Sequence, residues 1–117
     1  MLKFEKIDHV TVNYPQGGEA VSLDFYRNIL QLEEIPSLVA KAKWFKMGGI
    51  ELHISPGDIE NKLSSRHAAF VVSNLDAAKQ YLEDKGVAIQ YSDDIEGRKR
   101  FFFRDPFGNR FELVEYI

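Results

Sequence analysis

Two histidines and two glutamates recur at matching places along this chain. His9 opens one alternating apolar run and His67 opens another, 58 positions later. Glu51 and Glu112 each sit in an apolar-Glu-Leu triplet after a glycine turn, 61 positions apart. One histidine on a strand is usually a surface or hydrogen-bonded residue, and one glutamate is usually solvated. Four such residues duplicated at nearly equal offsets are harder to obtain by accident. Strand alternation sends them to the face opposite an apolar row of Val10, Val12, Leu52, Phe70 and Leu113. If the two halves join at that face, the carboxylates repel and lose solvation in a closed cavity. A divalent cation removes both penalties. Mixed imidazole and carboxylate donors suit Zn, Ni, Co, Mn or Fe better than an all-oxygen ion. Positions left open around such an ion would accept substrate or an activated water.

His53 shares the face of Glu51 and competes with it as a ligand. The repeat pairs His53 with Val114 and so favours Glu51, with His53 bonding a ligand or a substrate. Glu51 is then a fourth ligand or a base on a carbon acid. Trp44, Phe101 and Phe103 are candidates for an apolar pocket wall, core packing being the alternative for each. Arg98, with Arg100, would receive a substrate anion. No serine stands in a nucleophile elbow, and neither Gly17-Gly18 nor Gly48-Gly49 forms a phosphate loop.

These residues must be positioned by short elements. Ile7-Asp8-His9-Val10-Thr11-Val12 reads as a strand that Pro15-Gln16-Gly17-Gly18 breaks. From Glu19 the period lengthens, with Val21, Phe25 and Ile29 four apart and Tyr26 and Leu30 beside them, which predicts a helix of about three turns. Residues 43–47 and 50–54 read as a hairpin on Gly48-Gly49, followed by a polar loop to Ser65. The second half repeats the order. A strand spans residues 67–72. A helix spans 75–85, with Asn74 as N-cap, Asp76 in the first turn and Gly86 as C-cap. Strands follow at 87–91, 100–104 and 110–115, the last two joined by the Asp105-Pro106-Phe107-Gly108-Asn109 turn. With no linker between the halves, they read as two modules packed into one domain.

The chain has 117 residues, 44% hydrophobic and 28% charged, an ordinary globular balance. There is no cysteine, which excludes disulfides, thiolate metal sites and cysteine nucleophiles and is compatible with a reducing cytoplasm. The net charge of −3 and the single basic cluster Arg98-Lys99-Arg100 argue against nucleic acid and anionic membranes as partners. No apolar run approaches the roughly 20 residues of a membrane span, and the N-terminus lacks a signal-peptide pattern.

Ile7-Asp8-His9-Val10, the segment Phe25-Tyr26-Arg27-Asn28-Ile29-Leu30-Gln31-Leu32, and Arg104-Asp105-Pro106-Phe107-Gly108-Asn109-Arg110-Phe111-Glu112-Leu113 resemble the glyoxalase / bleomycin-resistance / extradiol-dioxygenase proteins, the vicinal oxygen chelate superfamily. The resemblance implies an α+β fold of paired βαβββ modules, about residues 5–57 and 65–117. Their mixed, curved sheet would enclose a cavity, with helices on its outer face. It implies a homodimer, and metal ligands at His9, Glu51 (or His53), His67 and Glu112. The activity implied is a glyoxalase-like isomerase or lyase step on a small oxygenated molecule, with a metal-free drug-binding protein of the bleomycin-resistance kind as the alternative. A ring-cleaving dioxygenase is a weaker third option, because such members usually carry twice this length. Gln31, where the family commonly has glycine, and the short loop after Ile54 depart from the pattern and leave the substrate open.

Overall fold

In His9-Val10-Thr11-Val12 every second side chain is a valine, so an extended chain can bury one face and leave the other to water. In the computed structural model, which describes residues 1–59 and 63–117, this becomes β1 (His9–Tyr14). The chain divides into two units, Met1–Asp58 and Ile59–Ile117. The first contains β1, α1 (Glu19–Asp24), β2 (Glu34–Ile35), β3 (Lys43–Met47) and β4 (Ile50–Pro56). The second contains β5 (His67–Val71), α2 (Leu75–Asp84), β6 (Arg98–Arg104) and β7 (Arg110–Tyr116). The fold is α+β; the first unit follows the βαβββ order, and the second follows it with its middle strand reduced to an isolated bridge. The polar loop expected before His67 falls partly on residues 60–62, outside the described residues. Among the described residues no helix is long and apolar enough to cross a membrane.

In the first unit the sheet order is β1-β4-β3-β2. β1 runs parallel to β4, with His9 opposite Glu51 and Thr11 opposite His53. β3 and β4 form the expected hairpin, closed by the two residues Gly48-Gly49 between paired Met47 and Ile50. Gly48 lies at φ +64, a conformation in which glycine has no Cβ penalty. Tyr26, Phe45, Leu52 and Ile54 are fully buried and form the core.

The expected three-turn helix is corrected. α1 ends at Asp24 and continues as a π-helical turn over Phe25–Ile29. The Leu30 N–H reaches the Phe25 carbonyl five residues back, which widens the turn. The buried positions are Ser22, Phe25 and Tyr26, while Val21 is exposed. Gln31 then stops the helix at φ +55.

The second unit has the sheet order β5-β7-β6. α2 starts where predicted. Asn74 Oδ1 accepts the Ala77 N–H at 3.0 Å, and Glu115 Oε1 reaches across from β7 to accept the Leu75 N–H at 2.7 Å. These bonds satisfy two of the orphan donors of the first turn. The buried Asp105 organises the β6–β7 connection. Its carboxylate accepts the N–H groups of Phe107 and Asn109, both at 2.9 Å, and the Asn109 amide at 2.8 Å. The strand expected at residues 87–91 is corrected to one bridge, Gln90 opposite Phe102. The Val87 N–H is already used on the Leu82 carbonyl at the end of α2.

Candidate functional site

In the second unit β5 and β7 are parallel, with His67 opposite Arg110 and Ala69 opposite Glu112. His67 and Glu112 are thus diagonal neighbours on one face, within reach of long side chains. His67 Nε2 lies 2.9 Å from Glu112 Oε1, and His67 Nδ1 lies 2.9 Å from the Ser65 carbonyl. A carbonyl only accepts, so Nδ1 carries a proton, and Nε2 faces a carboxylate that also only accepts. Two acceptors at that separation need a proton or a cation between them. The Glu112 side chain is 8% exposed, and its second oxygen accepts from Arg100 Nη1 at 3.3 Å. Phe102 meets the His67 ring edge-on at 5.1 Å, and the Arg110 guanidinium covers Phe102 at 3.7 Å.

The first unit presents a stack of three rings. His9 and His53 lie 4.1 Å apart, and His53 and Trp44 lie 4.2 Å apart and nearly parallel at 4°. The register places them side by side, because Thr11, His53 and Trp44 are cross-strand neighbours. His9 Nδ1 donates to Asp8 Oδ2 at 2.8 Å, and that bond holds the Asp8 carboxyl below its ordinary value. His9 Nε2 has no hydrogen-bond partner among the described residues. Both strand-opening histidines therefore use Nδ1 on an oxygen acceptor, as metal-binding imidazoles usually do, while Nε2 is open in His9 and faces Glu112 in His67. His53 Nε2 meets Glu51 Oε1 at 2.9 Å. His53 and Trp44, with Thr11, Ser55 and the 39–42 segment, line a cavity of about 400 Å³. Trp44 Nε1 is buried without a partner among the described residues.

The register revises the internal repeat. Thr11 and Ala69 are spaced like His9 and His67, and they lie opposite His53 and Glu112. Likewise Trp44 pairs with His53 and Phe102 pairs with Glu112. The counterpart of Glu112 is therefore His53, not Glu51, and the counterpart of Glu51 is Arg110. The Ile-Glu-Leu and Phe-Glu-Leu triplets misalign because the second hairpin loop, residues 105–109, is longer than Gly48-Gly49.

The remaining candidates separate. Phe101 and Phe103 are each 1% exposed and lie opposite Leu113 and Phe111. They turn to the core face, so the aromatic beside Glu112 is Phe102, which no sequence feature distinguishes from its two neighbours. The Phe103 and Phe111 rings stack at 5.5 Å. Arg98 and Arg100 share the face of Phe102 by alternation and line a second cavity of about 380 Å³, which Phe101 also borders. Thr11, Ser55 and the 39–42 segment carried no sequence signal, because their place at a cavity depends on cross-strand neighbours. Within either unit, among the described residues, no group of three or more His, Asp or Glu forms a metal cluster. Each unit holds a His/Glu pair: His53 with Glu51, and His67 with Glu112.

The profile of the Glyoxalase/Bleomycin resistance protein/Dioxygenase superfamily matches residues 6–113. Metallothiol transferase FosB of Staphylococcus saprophyticus subsp. saprophyticus is 32% identical over 117 residues, spanning 93% of this chain and 76% of that protein. A glyoxalase family protein from Bacillus anthracis superposes with a TM-score of 0.88 at 34% identity, covering 100% of this chain and 99% of that one. The fosfomycin resistance protein FosX of Listeria monocytogenes, solved as a complex with Mn(II) and sulfate ion, gives a TM-score of 0.78 at 24% identity, covering 98% and 93%. At that identity the likeness to FosX is one of fold.

Proposed function

Because the chain belongs to the glyoxalase/bleomycin resistance protein/dioxygenase superfamily, we propose that it is a divalent-metal-dependent enzyme acting on a small oxygenated molecule. His67 and Glu112 would hold the ion, and His9 is the corresponding strand-opening imidazole of the first unit. The observation that carries this reading is the pair His67–Glu112. With Nδ1 bound to the Ser65 carbonyl, Nε2 faces a buried carboxylate at 2.9 Å, a geometry that a cation satisfies. Imidazole with carboxylate is a donor set of the Zn, Ni, Co, Mn and Fe class. A bound ion would supply Lewis-acid charge to substrate oxygen.

The protein's own groups do the rest. Asp8 and Ser65 keep the two imidazoles turned with Nε2 available. Arg100 shares Glu112 and limits how far that carboxylate can swing. Glu51 accepts the His53 Nε2–H and holds or releases a proton beside the substrate. The isomerase or lyase step of the glyoxalase type and the thiol transfer for which FosB is named use the same roles. The homodimer belongs to this proposal, and sedimentation of the intact chain tests it.

The direct test is metal binding. Protein dialysed against chelator is titrated with Mn(II), Zn(II) and Ni(II) by calorimetry and thermal melting. Micromolar binding that His67→Ala and Glu112→Gln abolish supports the proposal, and absence of binding by all three ions removes it. The cavity beside Trp44 favours one second reading, a metal-free binder of a drug-like molecule. Saturable quenching of the single tryptophan by bleomycin, unchanged by chelator, would select that reading instead.

A further inference from the structure

His67 leans on the Ser65 carbonyl, and that carbonyl needs a support of its own. Ser64 and Ser65 precede β5 and belong to no helix or strand. Carbonyls in such a segment are ordinarily left to water. Here two arginines of the β6–β7 hairpin donate to them. Arg110 Nη1 donates to the Ser65 carbonyl at 3.2 Å. Arg104 Nη1 donates to the Ser64 carbonyl and to the Gly108 carbonyl, both at 2.9 Å. The two arginines stand directly opposite each other where β6 meets β7. Like charges so placed destabilise an antiparallel ladder. No ion pair among the described residues neutralises Arg110, whose guanidinium rests 3.7 Å over the Phe102 ring.

A carbonyl oxygen has two lone pairs, and both are used at Ser65. One accepts from Arg110 and the other from His67 Nδ1 at 2.9 Å. A bond from a charged donor is roughly twice as strong as a neutral one. Arg110 lies opposite His67 in the β5–β7 register, on the strand that also carries Glu112. One strand thus presents the carboxylate and fixes the acceptor that turns the facing imidazole. The first unit is built differently. His9 Nδ1 rests on the carboxylate of Asp8, the residue before it, and Glu51, at the place of Arg110, bonds His53 instead.

We propose that Arg110 is a positioning residue for His67. By holding the Ser65 carbonyl, it keeps Nδ1 bonded there and Nε2 facing the Glu112 carboxylate. Without it the peptides before β5 can turn, the ring loses its fixed acceptor, and Nε2 no longer meets Glu112 at a set distance. The effect on ion affinity rests on the reading of His67 and Glu112 as metal ligands; the effect on the ring does not. The sign of the affinity change is diagnostic. Arg110 is a cation two residues from Glu112, so Coulomb repulsion alone predicts that its removal tightens a divalent ion. Positioning predicts the opposite.

The experiment uses the intact chain after dialysis against chelator. Arg110→Met keeps a stem against Phe102 and removes the donor, while Arg110→Lys keeps a charge and a donor. Melting curves show which variants are folded, and Arg110→Gln, too short to reach Ser65, replaces the methionine variant if that one is not. Proton–nitrogen correlation spectra of the histidine rings read the metal-free protein. In Arg110→Met the His67 ring signals should shift or broaden while those of His9 stay in place, and Arg110→Lys should return them toward the parent. Calorimetric titration with Zn(II) should show affinity about tenfold weaker in Arg110→Met, the size expected when a group supporting a ligand is lost. Arg110→Lys should recover part of it. His67 signals unchanged in the folded donor-free variant, or an affinity equal to or tighter than that of the parent, overturns the proposal. If the parent itself binds no Zn(II), the metal-enzyme reading fails, and the ring signals alone decide the role of Arg110.

Discussion

His67 Nε2 and Glu112 Oε1 lie 2.9 Å apart although the residues are 45 positions apart in the chain. The contact exists because β5 and β7 are parallel neighbours with Ala69 opposite Glu112, which leaves His67 one diagonal step away.

Glu112→Gln should lower divalent-ion affinity at least about a hundredfold, since it removes the anionic donor. It also replaces the charged acceptor of Arg100, whose side chain is 15% exposed, with a neutral one, so the metal-free protein should lose about 1 kcal/mol. Calorimetry and urea denaturation read the two effects separately. Unchanged affinity would remove Glu112 from the ligand set.

Glu51→Gln separates two roles. The amide oxygen can still accept from His53 Nε2, so the ring stack should persist. A ligand role predicts weaker metal binding. Proton handling, the role proposed here, predicts unchanged metal binding and a kcat reduced about 10²–10⁴-fold. Retained kcat would exclude Glu51 from the chemistry.

Gln31→Gly should stabilise the protein by about 0.5–1 kcal/mol, because Gln31 is held at φ +55 where a Cβ is strained. The urea midpoint should rise. A midpoint that falls would mean that the glutamine side chain contributes more than its backbone strain removes.

Tyr14 should make stability fall in alkali. Burial, and then the nearby Glu19, raise its phenol above the ordinary 10.0. The folded chain therefore keeps the proton after the unfolded chain has released it. This contribution is complete below about pH 10 and is lost as pH rises through the folded value. Tyr14→Phe should flatten the decline in melting temperature above about pH 10. An identical slope in the variant would assign the decline to other groups.

Local chemistry was legible wherever one residue decides the backbone. Asn74 and Gly86 bracket α2 because an N-cap acceptor and a left-handed C-cap act within a few residues. The Asp105 turn was legible for the same reason. The strand expected at 87–91 failed because Val87 is used to close α2, and only Gln90 is left to pair. The even helix period from Val21 to Ile29 failed because a wider turn brings Ser22, Phe25 and Tyr26 inward instead.

Pattern alone determined that this chain makes two related strand-helix-strand modules, and that His9, His67 and Glu112 sit on polar faces. Side-chain period and duplicated order are properties of the chain, readable without knowing which strands meet. Pairing across the sheets decided the rest. It made His53 the counterpart of Glu112, sent Phe103 to the core, and set Arg100 against a carboxylate twelve residues away. Hairpin length sets that register. One longer loop shifts each cross-strand neighbour, and no local sequence match reveals the shift.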